Sequence, residues 1–273
     1  MSQADNSVEV VNVSKTFTQT GVGALEVLRD VSFTCHAGEF VSIVGASGCG
    51  KSTLLRVIDG LSTPSSGSVR VGGNIQTSPG RDVSFVFQQD NLLPWRTVLE
   101  NASYGLTLRR VGRKSADAEA RRLLQMVGLA GFESHYPHEL SGGMRQRVNL
   151  ARALAVNPSV LLMDEPFAAL DSQTREIMQA ELLRIWDAAQ KTVLFVTHQI
   201  DEAVYLSDRV VVLTVRPGRI KAMIEIDLPR PRNLEVKRTA EFAAYTDQIW
   251  QLIEHEVRES MELELADALQ LRQ

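Results

Sequence analysis

The chain has 273 residues, of which 44% are hydrophobic and 23% charged, as in a globular protein that buries a sizeable core. Its formal net charge of -4 argues against a general nucleic-acid-binding protein, which usually presents a basic face. Two cysteines are too few for a disulfide framework and favour a reducing compartment. We see no secretory signal and no apolar run near the roughly 20 residues of a membrane span, so we expect a cytosolic protein that could still dock onto a membrane protein.

The first third of the chain predicts mainly β-structure. Strand-like patterns occupy residues 8–17, 25–35 and 39–44, and a turn and strand rich in Gly and Ser follow at 65–75, with another strand at 83–88. Between them, "GKSTLLRVIDGL" has the apolar spacing of a helix that closes at Gly60.

The rest of the chain alternates between helical and strand patterns. Helices are expected over about 98–110 and 115–128, and another after the glycines at 142 and 143. Strands at 160–163, 192–196 and 209–213 then alternate with helices at 172–190 and 200–207, which indicates a parallel sheet covered on both faces. A Pro/Arg break at 229–233 precedes a helical, acidic tail to residue 273.

A glycine-rich segment follows the strand at 39–44. "GASGCGKS" fits the pattern G-x-x-x-x-G-K-[ST] at Gly45, Gly50, Lys51 and Ser52, with a strand before it and a helix after it. Glycines let backbone N–H groups approach phosphate oxygens, and the helix dipole favours an anion. Lys51 would contact the β- and γ-phosphates and the Ser52 hydroxyl would bind Mg²⁺. A glycine-rich turn without function is the alternative, but its context favours nucleotide binding.

Two carboxylates and a histidine follow other predicted strands. Asp164 and Glu165 come after "VLLM", and His198 ends "TVLFVTH". Ligands of parallel sheets bind at the carboxyl ends of strands, so Asp164 is the metal candidate, Glu165 the candidate general base and His198 a candidate contact to the γ-phosphate. An isolated "DE" is usually a solvated turn, and a lone histidine is more often structural.

A second glycine site opens the helix after residue 141. Ser141 is placed to cap this helix, and the bare backbone of Gly142 and Gly143 again favours an anion. One nucleotide cannot easily reach both glycine sites of one chain. We therefore expect a head-to-tail dimer in which this site contacts the γ-phosphate bound by the other copy, although a capped helix with a flexible entry is the simpler alternative.

The ordered set "GASGCGKST", "FVFQQ", "LSGGMRQRV", "LLMDEP", "ALD" and "TH" resembles the ATP-binding subunit of ABC transporters over about residues 8–227. "NLLPWRTVLENASYGL", "VRPGRI" and "LPRPR" resemble the branch that imports nitrate, sulfonates and taurine. The resemblance implies an α/β fold: a P-loop NTPase (RecA-like) core with an N-terminal antiparallel β subdomain and an inserted helical subdomain. It places the ABC domain at 1–227, the helical subdomain at about 91–157 and a C-terminal helical extension at 228–273.

The resemblance also implies residue roles. Phe17 would stack on adenine, where many relatives have Tyr. Gln88 would link Mg²⁺ and water to the membrane partner, with Gln89 as the alternative, and Asp171 would act across the dimer. Gln199 stands where an acidic residue is common. The implied ATP-binding residues are Phe17, Gly45, Ala46, Ser47, Gly48, Cys49, Gly50, Lys51, Ser52 and Thr53. The implied catalytic residues are Glu165, His198 and Gln88, and the implied metal ligands are Ser52, Gln88 and Asp164. The residues implied to contact the ATP of the second copy are Ser141, Gly142, Gly143, Gln146 and Asp171.

We therefore expect a Mg²⁺-dependent ATPase that works as a homodimer on the cytoplasmic face of the membrane. Its other partners would be an integral permease, contacted by Trp95, and indirectly a substrate-binding protein, with no nucleic acid. The alternative is a soluble ABC ATPase that acts on nucleic acid or ribosomes. Cys49 is expected to be an incidental free thiol whose modification by a bulky reagent blocks ATP binding.

Overall fold

The computed structural model describes residues 6–19 and 23–270, and the chain forms two compact units. The first unit combines Met1–Gly80 with Thr192–Gln273, and the second is Arg81–Lys191. The second unit is wider than the helical subdomain expected at 91–157, and the tail after residue 227 belongs to the first unit. The predicted domain boundaries stay predictions, and their ends at 1–5 and 271–273 lie outside the described residues.

The regular elements are, in chain order, β1 (Val8–Gln19), β2 (Gly23–Cys35), β3 (Phe40–Val44), α1 (Lys51–Asp59), β4 (Ser66–Val71), β5 (Asn74–Ile75), β6 (Val83–Val86), α2 (Val98–Ala102), α3 (Tyr104–Leu108), α4 (Arg113–Met126), α5 (Gly142–Ala155), β7 (Val160–Asp164), α6 (Ser172–Ala189), β8 (Thr192–Val196), α7 (Ile200–Leu206), β9 (Arg209–Leu213), β10 (Ile220–Glu225) and α8 (Ala240–Gln270). Short 3₁₀ helices lie at Pro137–Glu139 and Leu234–Arg238.

The first unit contains an antiparallel sheet and a mainly parallel one. The antiparallel sheet has the order β2-β1-β4-β5. In the other sheet, β3 pairs in parallel with β8 on one side and with β9 on the other, and β10 pairs with β9 in antiparallel fashion. Every residue of β3 and β8 is buried, as expected for parallel strands that are covered on both faces. Helices α1 and α7 pack on β8 and β3.

The second unit combines a parallel strand pair with helices. β6 and β7 pair in parallel, from Val83 opposite Val160 to Val86 opposite Met163. Helices α2, α4 and α5 pack against one another. The single helix expected over 98–110 is two short helices that meet at Ser103. In α3 the backbone of Gly105 lies so close to Val156 that a Cβ there would be 2.4 Å from its Cγ1, a contact that sequence periodicity does not reveal.

The tail after residue 227 packs within the first unit through charged groups and a long helix. Arg230 pairs with Asp208 at 2.8 Å, and α8 packs against α7 and β9. β10 is absent from the sequence-based expectations: its burial alternates regularly along the strand, but its apolar residues Ala222, Met223 and Ile224 are adjacent and hide that alternation in the sequence. Among the residues described, no helix is both long and apolar enough to cross a membrane.

Arg232 is the buried centre of this packing. Its guanidinium donates hydrogen bonds of 2.7–3.3 Å to five backbone carbonyls, those of Val204, Tyr205, Ser207, Ile226 and Leu228. These carbonyls belong to the end of α7 and the segment after β10. A planar group with five donors is suited to this arrangement, which no other side chain reproduces.

Replacing Arg232 by Met should therefore destabilise the protein strongly. The variant leaves several buried carbonyls without donors, and we expect a loss of about 3 kcal/mol in the free energy of unfolding, measured by urea denaturation. Arg238→Ala, at an exposed position, is the matched control and should change stability by less than about 0.5 kcal/mol. Equal effects of the two substitutions would contradict the role of Arg232.

Candidate functional site

The phosphate loop, residues 45–53, joins the buried strand β3 to α1. Gly50 precedes the helix with φ +105°, and a Cβ there would lie 2.8 Å from the Cδ2 atom of Leu28. Both the backbone angle and the close approach require glycine. Gly50 provides no side-chain cap for α1, and the start of a helix favours an anion.

The side chain of Lys51 bonds back to the beginning of the phosphate loop. Its side chain is buried, and its Nζ donates to the carbonyl oxygens of Gly45 at 2.8 Å and Ala46 at 2.9 Å. Ser47 and Gly48 are exposed, whereas Ser52 and Thr53 are half-buried in the first turn of α1. The positive charge is therefore fixed beside the loop backbone.

Cys49 differs from the expectation of a thiol that a bulky reagent can modify. Its side chain has no exposed surface, and burial raises the pKa of the thiol. The Lys51 charge opposes that rise without cancelling it. A neutral, inaccessible thiol reacts slowly because the thiolate is the nucleophile. Cys49 therefore contributes to the loop through packing and through its backbone.

Phe17 presents an aromatic surface on the antiparallel sheet. Its side chain is 43% exposed, and the Nζ atom of Lys15 lies 4.8 Å from the centre of the ring. Lys15 also donates to the carbonyl of Thr63 at 2.6 Å. This cation–π contact supports the ring while leaving part of it exposed for stacking.

His198 is exposed directly after β8, and its turn is held by two residues that sequence reasoning missed. The buried Thr197 hydroxyl donates to the carboxylate of Glu202 at 2.6 Å and accepts from the backbone N–H of Gln199 at 3.0 Å. Glu202 is buried in α7. A carboxylate four residues after the histidine, in a helix that otherwise packs on the sheet, is the signal that could have identified this support.

In the second unit, the two carboxylates at the end of β7 differ sharply in environment. Asp164 is buried at the end of the strand, whereas Glu165 is half-buried and adopts φ +47°. The chain turns at Glu165 into the left-handed region, which costs a non-glycine residue about 1–2 kcal/mol. The Nε2 atom of Gln88 donates to Glu165 Oε2 at 3.3 Å. The strained turn and this bond fix the direction of the carboxylate.

One face of α5 holds the glutamine loop, residues 87–91. Gln146 donates to the carbonyls of Phe87 and Gln88, both at 3.2 Å, and Asn149 donates to Phe87 at 3.1 Å. Arg145 pairs with Asp90 at 2.8 Å. Gln146 was expected to contact the nucleotide of a second copy, but it is 3% exposed and its amide donates to its own chain, which corrects that expectation.

These anchoring residues had a sequence signal. Arg145, Gln146 and Asn149 are polar residues spaced so that they share one helical face, and Arg152 continues it by donating to the carbonyls of Asp90 and Asn91, both at 2.9 Å. Sequence reasoning identified the helix but not the segment that this face binds.

Two helix starts in the second unit carry the remaining candidates. Ser141 caps α5 by accepting from the N–H of Met144 at 3.3 Å, and its side chain is exposed, whereas Gly142 and Gly143 are half-buried. Asp171 is exposed and caps α6 by accepting from Thr174 at 2.9 Å. Hydrogen bonds to the backbone and side chain of Thr174 lower the pKa of Asp171, so it is charged at neutral pH.

Comparison with known protein families shows the family to which this chain belongs. The family model described as "ABC transporter" matches residues 28–168. The chain belongs to the ABC transporter family. The match includes the phosphate loop, Gln88, Ser141 and the acid pair, whereas Phe17, Asp171 and His198 lie outside it. This ABC protein is an ATPase, and its predicted fold class, a P-loop NTPase core with β and helical subdomains, is confirmed.

Individual relatives are similar over most of their length. The chain is 45% identical to the nitrate import ATP-binding protein NrtD of Synechocystis, with 90% of this chain and 94% of the relative covered. It is 52% identical to the taurine import ATP-binding protein TauB of Burkholderia pseudomallei, with 76% and 80% covered. Among solved structures, the ATP-binding cassette MJ0796, a dimer in a post-hydrolysis state bound to ADP and Pi, has a TM-score of 0.75 and 35% identity, covering 81% of this chain and all of that one.

The buried position of Cys49 predicts that the native ABC ATPase resists thiol reagents. Cys35 is also fully buried with a raised pKa, mainly through burial, so neither cysteine should react on the minute timescale in the folded protein. Both should react rapidly in denaturant, as measured by the absorbance of released thionitrobenzoate. Rapid stoichiometric modification of Cys49 in the native protein would show that the loop opens more readily than the structure indicates.

Proposed function

We propose that this ABC ATPase is the motor subunit of an importer for small anions of the nitrate, sulfonate or taurine type. Two copies would act head to tail on the cytoplasmic face of the membrane and couple ATP binding and hydrolysis to a separate permease. The observation that carries the dimer is the presence of two glycine-flanked helix starts in one chain, α1 with Lys51 and α5 with Ser141. The import role is supported by the similarity to NrtD and TauB.

Nucleotide binding is assigned to the first unit. The exposed ring of Phe17 stacks on adenine, and the backbone N–H groups of residues 45–50 with those at the start of α1 surround the phosphates. Lys51 exchanges its carbonyl partners for the β- and γ-phosphates, whose charge it neutralises. Because the ammonium is already fixed beside the loop, little side-chain entropy is lost on binding.

The donor set fits Mg²⁺. The hydroxyl of Ser52, the carboxylate of Asp164 and the amide oxygen of Gln88 are hard oxygen ligands of the kind this ion prefers. Mg²⁺ is commonly held by one or two carboxylates together with nucleotide phosphates and water. Bound there, the ion neutralises negative charge on the phosphates.

Hydrolysis converts ATP and water to ADP and phosphate. Glu165 accepts a proton from the attacking water, and Gln88, which donates to Glu165, orients that water and relays the state of the site to the permease. His198 contacts the γ-phosphate, and Thr197 and Glu202 hold its turn as positioning residues. The second copy contributes Ser141 and the backbone of Gly142 and Gly143 to the same nucleotide, while its charged Asp171 acts across the dimer. Gln146 serves as an anchor of the glutamine loop instead.

Trp95 is the residue we assign to the permease contact. Its side chain is 71% exposed, while Leu92 beside it is buried. The buried side chain of Asn101 bonds to Leu93 and to the carbonyls of Arg96 and Thr97, which fixes the loop that presents Trp95. A substrate-binding protein would act indirectly, through that permease, and no nucleic acid takes part.

The proposed dimer is tested with Glu165→Gln. This change keeps the side-chain shape and removes the base, so we expect hydrolysis to fall by about 10²–10³-fold and a stable dimer to form in MgATP, measured by light scattering on a sizing column. Adding Ser141→Arg should keep that variant monomeric, because a bulky cation would replace the small hydroxyl at the interface.

The matched control adds Ser115→Arg, an exposed serine on α4, which should leave the dimer intact. Normal hydrolysis by Glu165→Gln would exclude Glu165 as the base. Dimerisation that tolerates Ser141→Arg as well as Ser115→Arg would exclude the head-to-tail arrangement.

The import role predicts a growth defect. Deleting the encoding gene from its host should abolish growth on one of nitrate, taurine or an alkanesulfonate as the sole nitrogen or sulfur source, and the intact gene should restore it where Glu165→Gln does not. Normal growth on all three, with nucleic acid co-purifying with the protein, would instead favour the soluble alternative.

A further inference from the structure

The turn between β9 and β10 lies against the phosphate loop. Gly218 at its tip donates to the carbonyl of Val27 at 2.9 Å and accepts from the N–H of Arg29 at 3.0 Å, forming a parallel bridge with Leu28. Two of these residues, Val27 and Leu28, are the ones against which Gly50 packs. The turn is thus joined to the strand that supports the end of the phosphate loop.

Gly218 also contacts the loop directly. A Cβ atom on Gly218 would lie well inside van der Waals contact of the carbonyl oxygen of Cys49. The turn and β2 therefore lie against two consecutive residues of the phosphate loop, Cys49 and Gly50. Any displacement of the turn would change the support of the backbone that precedes Lys51.

Hydrogen bonds also join the β9–β10 turn to the C-terminal helix α8. Glu256 on α8 is 6% exposed and accepts from the backbone N–H of Val215 at 2.6 Å and from Lys221 Nζ at 2.7 Å. Lys221 Nζ donates as well to the carbonyl of Leu252 at 2.9 Å. Val215 and Lys221 lie three residues before and after Gly218, so one carboxylate holds both sides of the turn.

The Glu256 carboxylate also affects the electrostatic environment of the phosphate loop. Burial is the main cause that raises the pKa of the Cys49 thiol, and the negative charge of Glu256 contributes in the same direction. Lys221 partly compensates that charge through its ion pair with Glu256. The carboxylate is held at a fixed position by Val215 and Lys221.

We infer that the C-terminal helix α8 positions the phosphate loop, and that Glu256 is a positioning residue for ATP binding that acts through the Val215–Lys221 turn. α8 therefore does more than pack against its neighbours. It holds the turn against Cys49 and sets the geometry in which the phosphate loop binds phosphate. This inference rests on the proposed binding of ATP by residues 45–53.

The primary test compares Glu256→Ala and Glu256→Gln with the unchanged full-length protein. Glu256→Ala should raise the Kd for MgATP by about five- to tenfold, measured by calorimetric titration, with kcat at saturating ATP within about twofold. Glu256→Gln retains one acceptor and should show a smaller rise of about two- to threefold. Glu254→Gln removes a carboxylate from an exposed ion pair with Arg258 on the same helix and should leave Kd unchanged.

The turn itself is tested without touching α8. Gly218→Ala introduces the Cβ that would clash with Cys49, and we expect ATP affinity to fall at least about tenfold. Gly112→Ala, where a Cβ would meet nothing within 4 Å, is the matched control and should bind normally. Thermal unfolding midpoints measured on all variants separate a change in affinity from general destabilisation.

If Glu256→Ala lowers the unfolding midpoint but leaves the Kd for MgATP unchanged, α8 contributes only to stability, and the inference is overturned. Tighter binding by Glu256→Gln would overturn it too, because repulsion of the phosphates by the carboxylate would then outweigh positioning. If the unchanged protein fails to bind MgATP, the proposed function itself fails, whereas normal binding with insensitive variants contradicts only the role of α8.

Discussion

The hydrogen bonds from Lys51 to the carbonyls of Gly45 and Ala46 are the constraint on which the rest of the first unit depends. A buried ammonium is costly unless its donors are satisfied, and these two carbonyls satisfy it without neutralising its charge. The loop must therefore curl around the lysine, which requires glycine where β2 and the turn at Gly218 approach it. The surrounding elements are arranged to support a backbone that has few side chains of its own.

In the second unit, a functional turn is made by a residue other than glycine. The turn after β7 is made by Glu165, a residue with a Cβ, in the left-handed conformation. Glycine would relieve the backbone strain but would remove the carboxylate. The chain accepts about 1–2 kcal/mol of strain at the position where a specific functional group is required.

Buried polar side chains that bond to backbone carbonyls hold the irregular segments in both units. Gln146 and Asn149 anchor the glutamine loop, and Arg232 anchors the tail. Loops without regular secondary structure need partners for their backbone groups, and these side chains provide them from rigid helices or well-packed segments. In the glutamine loop, this fixes the backbone on both sides of Gln88 while leaving its side chain directed at Glu165.

The sequence by itself determined the order of the helices and of most strands, though not β10, together with the phosphate loop and the helix cap at Ser141, because each depends on local spacing and on residue types with strong conformational preferences. It did not determine that Gln146 is turned inward, that Cys49 is inaccessible, or that α2 and α3 are separate helices. Those features follow from contacts between segments distant in the chain, such as Gly105 with Val156 and Gln146 with Phe87. The link from Glu256 through the turn at Gly218 to Cys49 joins three segments more than 30 residues apart, and only tertiary packing could bring them together.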